Sequence, residues 1–345
     1  MSKPRQVFFN SDARGIVLLS VALYTLLKNA KAGSPLTVFI ACGQGFFEQG
    51  CDKRLLDIAS PFPFARLVFL DFDPMVWKYD GLLDFGLNKW SPLLWAMPLC
   101  TELIPEDVHG NLVYIDIDML IRKDLAYLYE LPLAERGMIA AAVNESRREH
   151  RPYLVAAGWP ESAGYAFNNA TLVIDVDAYR RERIPEQIIR WYSAHKDTAI
   201  CVDQDAQNAI FGDRTIRLPL KWNYSDGWLE RILKCRPWQR EWRVHPREEV
   251  LEAILDPVII HYVGGRKPTG RTHRPERGIY RRTMREMGLI KGRLPEGLGL
   301  RDDLEGAFFN VYHALLRLYV RVLRLVFRSV RDTGAGATSR PPAPR

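Results

Sequence analysis

Short apolar runs recur along the chain, each closed by a turn or breaker residue and separated by segments of helical character. The opening QVFFNSDARGIVLLSVALYTLLKNA reads as a strand, a polar turn and an apolar helix. LTVFIACG (36–43), RLVFLDFD (66–73), NLVYIDIDMLI (111–121), TLVIDVD (171–177), TIRLPL (215–220) and PVIIHYVG (257–264) are further strands. Helical segments lie between them, notably 183–195 and 204–211. Strands that are apolar on both faces and alternate with helices predict an α/β fold with a mostly parallel central sheet, covered on both sides. In such sheets ligands bind beyond the carboxyl ends of the strands. No internal repeat interrupts the pattern.

Past about residue 270 the pattern changes. The body is expected over 1–275, a basic linker over 276–305, an amphipathic helix over 306–331 and a disordered Gly/Pro/Ser-rich tail over 332–345. Charge sharpens this division. Residues 266–345 hold 18 Lys and Arg against 7 Asp and Glu, a net of +11, so the total of +7 leaves −4 on residues 1–265. A mildly acidic body with a basic end calls for an anionic partner at that end.

Composition excludes some classes. With 345 residues, 47% apolar and 26% charged, the chain is ordinary for a globular protein, not collagen-like, low-complexity or wholly disordered. Five cysteines, none spaced CxxC, speak against a disulfide framework or a structural zinc site and for a reducing compartment. The most apolar N-terminal stretch, IVLLSVALYTLL at 16–27, is too short for a span of about 18 residues or more and lacks a basic flank and cleavage site. A cytoplasmic protein is expected.

The sharpest chemical signal is DID at 116–118, where an apolar strand runs into two aspartates one residue apart. In extended chain, positions i and i+2 share a side, so Asp116 and Asp118 can converge on a divalent metal. The alternative is that they cap the next segment or pair with Arg122 and Lys123. A second signal, HYVGGRKP (261–268), offers a ring nitrogen from His261, close backbone approach to an anion at Gly264 and Gly265, and a point charge at Lys267. Its alternative is a buried histidine beside a basic surface loop. In GYAFNNATLVIDVDAYR, Asn168 and Asn169 can bond sugar hydroxyls or cap a strand. In VDQDAQNAIF, capping explains Asp203 and Asp205 at a helix start, though not Gln204.

Taken together and in this order, VYIDIDMLIRKDL, FNNATLVIDVDAYR, DQDAQNAIF and HYVGGRKP resemble glycosyltransferase family 8 over roughly residues 6–270. That family includes the lipopolysaccharide galactosyl- and glucosyltransferases and glycogenin. The resemblance implies a retaining enzyme with a single Rossmann-like nucleotide-diphospho-sugar transferase domain of the A type. It also implies a hexose, galactose or glucose, moved from a UDP-sugar to a saccharide or lipid-linked saccharide acceptor. Asp116, Asp118 and His261 match the ligands of Mn²⁺ (or Mg²⁺); Gly264 and Lys267 match the diphosphate grip. Asn10 and Asp12 fall where the family's first strand meets the nucleotide, and Asp116 belongs to that contact too. Asn168, Asp203 and Gln204 match residues around the donor sugar, with Gln204 near the anomeric carbon. Asn144, after the strand GMIAAAV, takes a position where the family often has an acidic sugar contact.

Four positions depart from the family: Arg14 for an aromatic, Ala170 for a glycine, Thr269 for a tryptophan, and Met97 for an arginine that normally contacts the donor. Lys89 or Arg14 could take over that contact. Trp222, Trp228, Trp238 and Trp242 offer either a sugar-stacking acceptor side or core packing. An amide at Gln204 is a poor nucleophile, which favours front-side attack over double displacement. Two other readings compete. A haloacid-dehalogenase-like phosphatase would need Thr or Val where Leu120 stands, and a non-enzymatic sugar- or anion-binding protein gives no reason for the DxD. No nucleic-acid module is present, so no nucleic-acid partner is expected.

In FFNVYHALLRLYVRVLRLVFRSVR, arginines at 317, 321, 324, 328 and 331 draw a basic stripe, and apolar residues cover most of the remaining circumference. The segment is expected to lie on an anionic membrane surface, holding the enzyme peripherally at the cytoplasmic face. The alternative is a helix docked on the body or on a second subunit.

Overall fold

Successive strand residues face two different apolar clusters with a period of two, and both phases are buried. In β1 (Arg5–Ser11), Val7 and Phe9 face one apolar cluster and Phe8 faces another. In β2 (Leu36–Cys42), Val38 and Ile40 join the first cluster, Phe39 and Ala41 the second. In β4 (Asn111–Ile115), Val113 and Ile115 divide from Leu112 and Tyr114 in the same way. These strands therefore sit in the middle of a three-layer structure, with apolar cover on each face. The computed structural model describes residues 5–83, 91–133, 139–143, 166–199, 201–226, 245–264, 267–269 and 275–289, with Val311, Ala314, Leu315, 317–322 and Leu325 beyond them.

Seven strands form the central sheet in the order β3-β2-β1-β4-β7-β6-β8, where β3 is Ala65–Asp71, β6 Ile139–Val143, β7 Phe167–Asp175 and β8 Thr215–Leu218. β7 runs antiparallel to its neighbours β4 and β6, while the other pairings are parallel. Helix α1 (Ile16–Asn29) packs Leu19, Leu23 and Leu26 into the first cluster. Asp12 starts the 3₁₀ turn before it, its carboxylate accepting the Gly15 N–H.

The run NLVYIDIDMLI is two strands, not one. β4 ends at Ile115, the chain turns through Asp116–Asp118, and β5 (Met119–Ile121) leaves the central sheet for a second sheet of order β5-β10-β9. β9 is Tyr224–Ser225 and β10 is Ile259–His261. PVIIHYVG therefore pairs with the segment after the aspartates rather than with the main sheet. The register Met119↔His261, with the Tyr262 N–H on the Asp118 carbonyl at 3.0 Å, sets His261 beside Asp118.

Near the C-terminal end the described residues are helical. Val320 is buried in a cluster with Val21 and Leu120. Val311, Leu315, Leu318, Tyr319, Val322 and Leu325 are exposed. Among the described residues no helix is long and apolar enough to cross a membrane.

Candidate active site

The turn between the two sheets gathers the chemistry. Asp116, Asp118 and His261 each offer a ligand atom, and these lie within 4.8 Å of one another. Asp118 and His261 are buried. The Asp116 N–H bonds the Ala170 carbonyl at 2.9 Å, which anchors the turn on β7. His261 sets Nδ1 on the Asn223 Oδ1 at 2.9 Å and points Nε2 at Asp118 Oδ1, 3.5 Å away. With Nδ1–H donated to Asn223, Nε2 carries the lone pair, and burial holds the imidazole below its usual pKa, in the neutral form that binds metals. Two carboxylates and one such nitrogen suit Mn²⁺ or Mg²⁺, so the residues fit the ion.

Lys267 completes the cluster from the loop after β10, its Nζ 2.5 Å from Asp118 Oδ2. Gly264, in the same loop, takes φ +98°, a conformation that L side chains rarely adopt.

A cavity opens beside Asp116. Asn10, Tyr114, Asn169, Asp203 and Gln204 give its polar wall, and Leu94, Cys201 and Val202 its apolar one. Helix α2 here is Cys51–Ala59, α3 Asp73–Lys78, α4 Cys100–Leu103, α5 Ala126–Tyr129, α6 Val176–Arg181, α7 Ile184–His195 and α8 Val202–Phe211. The first turn of α8 presents Asp203 and Gln204 to the cavity, and it starts at Val202 with φ +27°, strained for a β-branched residue. Asp205 takes the Cys201 N–H at 2.7 Å, so the capping carboxylate is Asp205, while Asp203 is held by the Asn169 amide. Burial, and then the nearby Asp116, push the Asp203 carboxyl up to about 8. Burial, and then Asp118, likewise push Asp116 up to about 7, against a hydrogen bond donated by the Tyr114 hydroxyl.

One chain of side-chain amides runs from the metal cluster to Gln204. Asn223 donates to Asn168 Oδ1 at 2.7 Å, and Asn168 donates to Gln204 Oε1 at 3.3 Å, where the Asn169 N–H also arrives. The structure thus brings together Asn10, Asp116, Asp118, Asn168, Asp203, Gln204, His261 and Lys267. Asp12 bonds the Gly15 N–H and pairs with Arg14, which is 82% exposed. Asn144 and Lys89 lie outside the described residues, as do Trp228, Trp238 and Trp242. Trp222 is buried and stacked on Tyr127, a packing role. Met97 is buried in the apolar cluster under β4, away from the cavity wall.

Sequence reasoning missed Tyr114 and Asn223. Tyr114 stands two residues before Asp116, and the period of the strand could have assigned it to the same side. Asn223, in KWNY, carries no such signal.

The profile described as glycosyl transferase family 8 matches residues 6–271. General stress protein A of Bacillus subtilis is 30% identical over 231 residues, 66% of this chain and 75% of that protein. Glycosyltransferase GlyE of Streptococcus pneumoniae is 25% identical over 191 residues, 54% of this chain and 40% of that protein. Among solved structures, galactosyltransferase LgtC in complex with donor and acceptor sugar analogs superposes with a TM-score of 0.66 at 18% identity, covering 85% of this chain and 98% of that one. The bifunctional glycosyltransferase WbbM gives 0.60 at 18% identity over 78% and 47%. At these identities the structural likeness speaks for the fold.

Proposed function

The chain belongs to glycosyl transferase family 8, and on that premise we propose that it is a retaining, metal-dependent glycosyltransferase that moves a hexose, galactose or glucose, from a UDP-sugar to a saccharide acceptor of a cell-surface glycan such as lipopolysaccharide. The observation that carries this reading is the meeting of Asp116, Asp118 and His261 with Lys267 at the rim of a cavity that holds Asp203 and Gln204. Membership of the family also removes the phosphatase alternative.

Asp116, Asp118 and His261 would hold the Mn²⁺ (or Mg²⁺), which supplies charge neutralisation to the diphosphate when bound. Lys267 adds a point charge, and the loop at Gly264 lets backbone N–H groups approach the phosphate oxygens. As the bond between the anomeric carbon and the diphosphate breaks, negative charge grows on the departing oxygen, and these groups act most strongly there in a water-poor cleft. Asn168 and Asp203 hold the sugar while positive charge spreads over its ring. The Gln204 carboxamide oxygen already accepts two N–H groups, from Asn168 and from the Asn169 backbone. Such an oxygen orients better than it attacks, which supports front-side delivery of the acceptor on the face the diphosphate leaves.

The C-terminal helix belongs to the same proposal: it lies on the anionic cytoplasmic membrane surface and brings the cavity to a lipid-linked acceptor. What supports this is the outward apolar stripe at Val311, Leu315, Leu318, Val322 and Leu325.

A panel of UDP-sugars incubated with the purified protein, with Mn²⁺ and with chelator, tests the reaction. One UDP-hexose hydrolysed slowly with Mn²⁺ and transferred faster once an acceptor is added is the expected result. No turnover or binding of any UDP-sugar with Mn²⁺ or Mg²⁺ overturns it.

A further inference from the structure

The loop that carries Lys267 hangs between β10 and the helix that follows, Pro275–Glu286. Arg277, on the first turn of that helix, is 2% exposed, and its guanidinium makes directed contacts with two of the described residues. Nε donates to Asp226 Oδ2 at 3.1 Å, and Nη1 donates to the backbone carbonyl of Lys267 at 3.0 Å. Asp226 in turn sends its N–H to the carbonyl of His261 at 2.8 Å. One side chain therefore ties the end of β9, the metal-side end of β10 and the Lys267 loop to a single helix. The helix is itself fixed: the Tyr224 hydroxyl donates to Glu276 Oε1 and the Tyr262 hydroxyl to the Glu276 carbonyl, both at 2.9 Å.

We propose that Arg277 is a positioning residue for the diphosphate grip, acting through the Lys267 carbonyl to fix where the Lys267 ammonium stands against Asp118. It lies beyond residue 271, where the family match ends. The chemistry explains why arginine stands there. A buried Asp226 carboxylate needs a cation, which a lysine would also supply. Only the planar fork of a guanidinium can hold that carboxylate and the loop carbonyl together in fixed geometry. Gly264, at φ +98°, brings no side chain to pack the loop, so the Arg277 bond to the Lys267 carbonyl supplies a fixed point for it.

This inference rests on the reading of Lys267 as a diphosphate ligand, and the test separates the two. Mn²⁺–UDP affinity is measured by calorimetry for wild type, Arg277→Lys, Lys267→Ala and the double variant, beside melting temperature and the KM and kcat for the donor. Arg277→Lys keeps the ion pair with Asp226, so it should melt near wild type, yet bind Mn²⁺–UDP about tenfold more weakly, as lost supporting contacts do. In the Lys267→Ala background the same change should add almost nothing, because residues that act through one another are not additive. Wild-type affinity in Arg277→Lys, or a full tenfold loss on top of Lys267→Ala, overturns the proposal. If Arg277→Lys does not fold, the pair Arg277→Gln with Asp226→Asn keeps a neutral hydrogen bond in place and carries the same expectation, and wild-type affinity there rejects it. A wild type that binds no Mn²⁺–UDP, or a Lys267→Ala variant that binds it fully, instead sinks the reading of Lys267 and this inference with it.

Discussion

Asp118 is shared between Lys267 and His261: its Oδ2 takes the Lys267 ammonium at 2.5 Å and its Oδ1 faces His261 Nε2 at 3.5 Å. Asp118 comes from the turn leading into β5, His261 from the end of β10 and Lys267 from the loop after it, so the carboxylate sits where the two sheets meet. Asp118→Asn keeps the shape and removes the charge. Because charge stabilisation by a metal is worth several kcal/mol, transfer and Mn²⁺-dependent hydrolysis should fall by about 100-fold or more. Circular dichroism and melting temperature should stay close to wild type. Activity within a factor of two of wild type rejects the metal assignment, and a collapsed fold assigns Asp118 to structure instead.

The raised carboxyls give a pH signature in chelator-treated protein. Asp203 titrates at about 8 in the folded chain, chiefly through burial, against about 3.9 when unfolded. Between those values the folded state holds a proton that the unfolded state has lost. Its contribution to stability is therefore complete below about pH 4 and lost as pH rises through 8. His261, held low by burial, contributes with the opposite sign, and its part is complete above about pH 7. Across pH 7 to 8.5 the remaining loss comes chiefly from Asp203, with a smaller share from Asp116 at about 7, and comparison with Asp203→Asn separates the two. Melting temperature should drop across this window in wild type and stay flatter in Asp203→Asn; equal slopes in the two proteins reject the assignment.

Tyr114 offers a gentler probe. Its hydroxyl accepts from Asn10 at 3.2 Å and donates to Asp116, and that donated bond holds the Asp116 carboxyl down against burial. Tyr114→Phe should raise the Asp116 pKa further, so that more protons compete with the metal near neutral pH. Mn²⁺ affinity at pH 7 is expected to fall about tenfold, in the range of lost supporting contacts, and the deficit should shrink by pH 8.5. Titrations that superimpose at both pH values would show that Tyr114 does not tune this carboxylate.

The central strands were legible because both their phases are apolar, as Val7, Phe8 and Phe9 show: continuous runs mark strands covered on both sides. The DxD was legible because charge at the end of such a run is out of place. What the pattern concealed was the break between β4 and β5, since Met119, Leu120 and Ile121 are as apolar as the strand before them and only the pairing with β10 separates them. Sense along the sheet was hidden too: β7 is antiparallel, and no local property of TLVID distinguishes it. Asp12 and Asp203 show the limit at single residues. Both are acids near a helix start, yet Asp12 caps a turn through the Gly15 N–H, while at α8 Asp205 takes the Cys201 N–H and Asp203 faces the cavity. Asn223 reaches His261 across 38 positions, and contacts of that kind leave no periodic trace.

The C-terminal helix gives the last prediction. At 3.6 residues per turn, Val311, Leu315, Leu318, Val322 and Leu325 fall on one line, and all are exposed, from 48% at Val322 to 67% at Leu325. Val320 lies half a turn away and is buried against Val21 and Leu120, so the helix is docked by its opposite face. Arg317 and Arg321 fall between the two faces, along one rim of the outward stripe. Docking on the body uses Val320, and the apolar line is left outward. Spanning is excluded energetically, since each arginine at a bilayer centre costs about 2.5–3.5 kcal/mol on insertion scales. Lying in the interface sinks the apolar line and sets the arginines among anionic headgroups at about 1 kcal/mol each. Leu318→Glu with Leu325→Glu leaves Val320 in place, so the body should melt as wild type does and keep its activity on a water-soluble acceptor. Sedimentation with vesicles rich in anionic lipid should fall by about tenfold or more for this variant and for a chain lacking 306–345, and should weaken for wild type as salt rises. Full-length protein that never sediments with such vesicles, or a double variant that sediments as well as wild type, rejects the membrane reading.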